Sequence, residues 1–90
     1  MLDTIRGSVI EIIDGDTFSI RVTHVGNENK LKYNTTEIIR ISGIDDPELD
    51  TLPGQRSRDL LQRKLEGKEV RCYVQAKDSL GRVVANVMIL

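Results

Sequence analysis

Apolar and polar positions alternate along "GSVIEIIDGDTFSIRV", residues 7–22, in two β-branched runs separated by Asp14-Gly15. Period-2 alternation around a pair that tolerates positive φ predicts a two-residue β-hairpin. From Thr23 to Glu37 the chain turns polar and rich in asparagine, which predicts a long hairpin arm turning near Gly26 to Asn29 and frayed at its tip. A third run, "IIRISGI", sets Ile39, Ile41 and Gly43 on one face and Ile38, Arg40, Ser42 and Ile44 on the other. The period then changes. Ser57, Leu61 and Leu65, with Leu60 beside them, share one side of a helical stretch over 55–65, and Arg56, Arg58, Gln62 and Arg63 take the other. Pro53 and Gly54 mark its start, and Gly67 stands where a left-handed cap residue goes. Two more strands follow. "EVRCYVQA" directs Val70, Cys72, Val74 and Ala76 to the core, and "RVVANVMIL" comes after the turn "KDSLG".

Three strands, one helix and two strands is the element order of a five-stranded OB barrel, a mainly β fold with its helix between strands three and four. The 90 residues, 39% hydrophobic and 30% charged, match one small domain over 1–90 with a stability of about 5 to 10 kcal/mol. One cysteine excludes an intrachain disulfide, and one histidine beside it is too few for a zinc site. No apolar run reaches membrane-span length and "MLDTIRGS" has no signal-peptide pattern, so a soluble chain without a membrane partner is expected. A net charge of -1 lacks the basic excess of nonspecific nucleic-acid binders. Any site for a polyanion must therefore be local.

The unusual chemistry lies in three short segments at strand ends: "DGDT" (Asp14 to Thr17), "RISGIDDPE" (Arg40 to Glu48) and "DSLGR" (Asp78 to Arg82). Taken singly, each has a plain explanation as a turn, an acidic loop or a solvated arginine. Together and in this order they resemble the staphylococcal nuclease family, whose pattern is an Asp-Gly-Asp-Thr hairpin, an Arg-x-x-x-x-Asp-x-Pro-Glu segment and a Gly-Arg opening the fifth strand. The likeness runs from about Ser8 onward. It implies that Asp16 and Asp45, with the backbone carbonyl of Asp46, hold calcium, that Glu48 is the general base, and that Arg40 and Arg82 grip the scissile phosphate. Asp14, Thr17 and Asp78 fall at supporting positions, and the implied reaction is hydrolysis of phosphodiesters in DNA or RNA.

These residue types suit that chemistry. Calcium takes six to eight oxygen ligands, so a few protein oxygens leave room for water and substrate. A guanidinium can hold two phosphoryl oxygens at once, which a lysine cannot. Pro47 directs the backbone just before Glu48. Two departures from the family pattern keep other readings open. Leu80 replaces an aromatic that usually precedes Gly-Arg, and the chain stops at Leu90, where the family continues into further helices. The apolar "VANVMIL" reads as cut short, or as an edge covered by self-association or a partner. The alternatives are a noncatalytic OB module for nucleic acid or protein, and an inactive fragment of a longer nuclease. His24 reads as exposed, Cys72 as core, and Lys30, Lys32 and Tyr33 either as contacts to a nucleic-acid backbone or as a solvated arm.

Overall fold

Alternation along the strands becomes an inside and an outside. The computed structural model describes residues 2–43 and 52–90. In chain order its elements are β1 (Asp3–Asp14), β2 (Thr17–Val25), β3 (Thr36–Ile41), α1 (Leu52–Leu65), β4 (Glu69–Lys77) and β5 (Val83–Ile89). The five strands close into a barrel in the order β1-β2-β3-β5-β4. All pairs are antiparallel except β3 with β5, which run parallel and seal the cylinder. This is the five-stranded OB-type barrel with one helix that the element order predicts.

Inside lie Ile5, Ile12, Phe18, Ile20, Ile39, Val70, Cys72, Val74, Val83 and Ala85, capped by Leu65 of α1. Phe18 is the largest fully buried side chain, and its loss to alanine would cost about 3 to 5 kcal/mol, comparable with the whole stability of a small domain. Cys72 is core as expected, and burial pushes its thiol up to about 12. Ala76 is not. A register shift between Val74 and Ala76 breaks the alternation, and Ala76 is exposed.

The helix starts three residues earlier than its periodicity suggests, at Leu52, with Pro53 in the first turn where a missing N–H costs nothing. Ser57 and Leu61 are half-buried and Leu65 is buried, but Leu60 is exposed. Gly67 ends the helix as expected, and the Val9 N–H donates to the Lys68 carbonyl at 3.0 Å, tying the helix exit to β1. No described helix is long and apolar enough to cross a membrane.

The arm between β2 and β3 departs most from expectation, because its tip is fastened rather than frayed. Beyond Val25 the chain turns at Asn27 and Glu28, and Asn29 lies against β1. The Thr4 N–H donates to Asn29 Oδ1 at 2.9 Å, and Asn29 Nδ2 returns a bond to the Thr4 carbonyl at 2.9 Å. Asp3 then accepts from the Lys30 N–H (2.8 Å), the Leu31 N–H (2.9 Å) and the Tyr33 hydroxyl (2.8 Å). Lys77 spans Tyr33 and Glu37, its Nζ 5.0 Å from the ring centre and 3.9 Å from the buried carboxylate. Neither Asp3 nor Glu37 shows its burial in the hydrophobic pattern, since each takes an inward position that an apolar residue would fill.

The Lys30 and Leu31 N–H groups, with help from Tyr33, outweigh burial and hold the Asp3 carboxyl below the usual carboxylate range. A carboxyl depressed on folding contributes its full stability above about pH 4 and loses it as the pH falls through the folded-state value. Asp3→Asn should therefore lower the urea midpoint at pH 6, and the gap from the parent should close below pH 4. An equal gap at both pH values would show that the ionised carboxylate is not what holds the arm.

Candidate active site

Asp14 and Asp16 bracket the β1–β2 corner, and the corner is one residue later than the Asp14-Gly15 pair suggests. Asp14 pairs with Thr17, so the loop residues are Gly15 and Asp16, and neither has positive φ. The turn is instead held by a side chain. The Asp16 N–H donates to Asp14 Oδ1 at 3.1 Å, an Asx-type turn that needs no left-handed residue. This turns the Asp16 carboxylate inward, and the residue is 8% exposed. There Thr17 Oγ1 donates to Asp16 Oδ1 at 2.8 Å.

The end of β3 supplies the first arginine. Arg40 pairs with Thr17 across the ladder, and its Nε lies 3.7 Å from Asp16 Oδ2. The Ile41 N–H donates to the Asp16 carbonyl at 2.8 Å, so β3 is bound to the corner itself. Arg82 comes from the β4–β5 turn. Its Nε donates to Asp78 Oδ2 at 2.6 Å and its N–H to Asp78 Oδ1 at 2.9 Å, while the Leu80 N–H also reaches Oδ1 at 3.0 Å. Gly81, at φ 82°, makes the reversal that lets one carboxylate take all three donors. Since Arg82 is fixed through Nε, its two Nη groups remain for another anion. Sequence reading gave Asp78 only a supporting place. An aspartate four residues before an arginine, across a glycine, is the signal for this cradle.

The charges are not evenly tolerated. Burial, then hydrogen bonding and repulsion from Asp14, push the Asp16 carboxyl above the usual range despite Thr17 and Arg40. Burial also opposes charge on Asp14, but its hydrogen bonds with Asp16 and Thr17 and the field of Arg82 leave its carboxyl below that range. Burial likewise opposes charge on Asp78, and the Arg82 and Leu80 donors overcome it. Asp16 is thus an inward oxygen donor whose charge is opposed by burial and by Asp14. An oxygen-only pair of this kind fits a hard divalent cation and does not fit a thiol- or imidazole-seeking one. Among the described residues no group of three or more acidic, histidine or cysteine side chains is assembled for a metal. Asp45, Asp46 and Glu48, the other residues expected at this site, lie outside the described residues.

Of the residues expected at the site, the structure therefore gathers Asp14, Asp16, Thr17 and Arg40 around the β1–β2 corner. Arg82 and Asp78 sit on the neighbouring β4–β5 turn, close enough for Arg82 to act on Asp14. A family model described as staphylococcal nuclease homologue matches residues 38–90. The chain is 35% identical over 103 residues to "Probable endonuclease LCL3" of Arthroderma otae, covering 93% of this chain and 36% of that protein. Against "Probable endonuclease lcl3" of Schizosaccharomyces japonicus it is 35% identical over 105 residues, covering 96% of this chain and 45% of that one. It is also 43% identical over 49 residues to "Probable staphylococcal-like nuclease CAN3" of Oryza sativa subsp. japonica, 54% of this chain and 13% of that protein. The chain thus spans less than half the length of each of these relatives.

Two substitutions separate the local forces at the corner. Thr17→Val leaves Asp16 Oδ1 without its buried donor and should cost about 1.5 to 3 kcal/mol in urea unfolding. A carboxyl raised on folding loses stability as the pH climbs through its unfolded and then its folded value, so ionised Asp16 opposes folding at neutral pH. Asp16→Asn should accordingly raise the melting temperature at pH 7 in chelator. A lower melting temperature would mean that the ion pair with Arg40 outweighs burial.

Proposed function

Because this chain belongs to the staphylococcal nuclease homologue family, we propose that it hydrolyses phosphodiester bonds of DNA or RNA and uses calcium to do so. The observation that carries the reading is the meeting of two acids and two arginines from three separate strand ends at one rim of the barrel. A phosphodiester is an anion, so its hydrolysis needs positive charge at the phosphoryl oxygens and a base for the attacking water. Arg82, oriented through Nε by Asp78, presents its Nη groups to the phosphate. Arg40 joins it from β3, released from its loose 3.7 Å contact with Asp16. Glu48 takes the proton from the attacking water. Asp16, Asp45 and the Asp46 carbonyl would hold a calcium ion, while Asp14 shapes the corner and Thr17 orients Asp16. When bound, calcium adds Lewis-acid charge at the phosphoryl oxygens and offsets the repulsion among the acids.

One observation favours a second reading, a module that binds nucleic acid without cutting it. Leu80 is 77% exposed beside Arg82, at the position where the family pattern has an aromatic, so no ring or phenol hydroxyl is offered there to a nucleic acid. Cleavage of single-stranded DNA by the 90-residue chain decides between them. Calcium-dependent cleavage should be abolished by chelator and reduced more than about 100-fold by Glu48→Gln, with the circular dichroism spectrum unchanged. Arg82→Lys should lose about 100- to 1,000-fold in kcat, because an ammonium cannot keep both the Asp78 bond and a forked phosphate contact. Binding without cleavage by a folded sample would support the second reading.

A further inference from the structure

The outer face of the barrel carries a second group of cations, away from the rim. Arg6 of β1 stands directly opposite His24 of β2 on one side and Arg71 of β4 on the other. The three form a row across adjacent strands. Thr4 and Tyr73 are the next pair along, and together these side chains line a concavity of about 300 Å³. Arg6 lies eight residues along β1 from Asp14, about 26 Å of strand.

Directly opposed like charges destabilise a sheet, and such a pair normally finds acids to relieve it. Here none does. Neither Arg6 nor Arg71 forms an ion pair among the described residues, and Glu69, two positions before Arg71, does not pair with it. Arg6 Nε is shut off from solvent and meets no hydrogen-bond acceptor among the described residues. A buried guanidinium N–H without a partner costs free energy, a cost that an anion would relieve by drawing the Arg6 side chain outward into the concavity. The position is made possible by Gly7, where a Cβ would stand 2.4 Å from the Arg21 carbonyl oxygen. β1 presses against β2 there, and a register shift between Arg6 and Gly7 turns Arg6 toward His24.

We infer that Arg6, Arg71 and His24 form a phosphate-binding exosite that holds the backbone of the nucleic acid at a distance from the cleaved bond. The inference rests on the nuclease reading for its choice of ligand. Guanidinium groups fork onto phosphate oxygens, the imidazole adds a donor, and the Tyr73 ring offers a face to a base. A chain with net charge -1 attracts a polyanion where its cations stand unpaired, and among the described residues Arg6 and Arg71 form no ion pair.

The test measures binding of a trinucleotide and of a longer single-stranded DNA in chelator, by fluorescence anisotropy over a series of salt concentrations. Arg6→Gln/Arg71→Gln should bind the long strand about tenfold or more weakly, with the logarithmic salt slope reduced by about 1.4, two single-strand contacts at about 0.7 each. Trinucleotide cleavage with calcium should be unchanged in kcat/KM, while KM rises for the long strand alone. Arg71→Gln alone should melt no lower than the parent because it relieves repulsion, and Arg6→Lys/Arg71→Lys should keep the salt slope. Unchanged long-strand affinity and slope would overturn the exosite, as would a loss in anionic phosphatidylserine vesicle binding with DNA binding intact. Differential binding with no cleavage by any variant leaves the exosite standing and removes the nuclease reading. Normal cleavage without differential binding does the reverse.

Discussion

The parallel pairing of β3 with β5 is the constraint on which everything else depends. Among the described residues it covers only Ile39 with Val83, Arg40 with Val84 and Ile41 with Ala85, extended by the Ser42 N–H bond to the Ala85 carbonyl at 2.8 Å. Yet it is the seam that turns an antiparallel sheet into a closed barrel, and closure removes the edges that would otherwise invite other chains. It also decides which loops meet. With β3 held between β2 and β5, the β1–β2 corner, the exit of β3 and the β4–β5 turn come to one rim. Val83 and Ile39 are both fully buried at this seam, so the packing that stabilises the barrel also fixes the backbone on which Arg40 and Arg82 stand.

The two arginines at the rim are held differently, and the difference follows from local chemistry. Arg82 is locked by a carboxylate that spends its lone pairs on the arginine's own N–H, its Nε and the Leu80 N–H. Its orientation is set before any ligand arrives, which is the condition under which a charged donor acts without reorganisation. Among the described residues Arg40 has only a 3.7 Å contact with Asp16, too long for a hydrogen bond. Burial and Asp14 both oppose the charge on that carboxylate. A cation bound to Asp16 would compete for the oxygen nearest Arg40 and leave the guanidinium for phosphate. Such a cation would be coupled to the arginine through that one shared atom.

What the sequence made legible follows from where periodicity has force. Strands with one face in the core, such as β2 and β4, state their inward set plainly, and Phe18, Ile20, Val70, Cys72 and Val74 are where alternation puts them. Periodicity fails where a side chain does backbone work. The corner shifted by one residue because Asp14 closes it with a carboxylate, and the arm is ordered because Asp3 collects three donors from residues 30 to 33. Ala76 left the core because β4 and β5 change register beside it. The site was legible as motifs, since Arg40 and Arg82 each stand in a short recognisable segment. The row of Arg6, His24 and Arg71 was not, because its members belong to three strands and meet only through a register that includes a shift.

Charge on this chain is better described by its placement than by its sum. Thirteen basic and fourteen acidic side chains nearly cancel, and a uniform mixture of them would neither attract nor repel a polyanion at distance. The fold undoes that mixing. It draws Asp14, Asp16 and Asp78 to one rim among arginines that answer them, and it leaves Arg6 and Arg71 facing each other with no ion pair among the described residues. Both arrangements are costly in isolation, one through buried carboxylate and the other through opposed guanidinium groups. Each cost would be lifted by a partner of opposite sign, a cation at the rim and an anion on the outer face. A small barrel with about 5 to 10 kcal/mol of stability can carry such costs only if its core is well packed, which is the role left to Phe18 and the side chains around it.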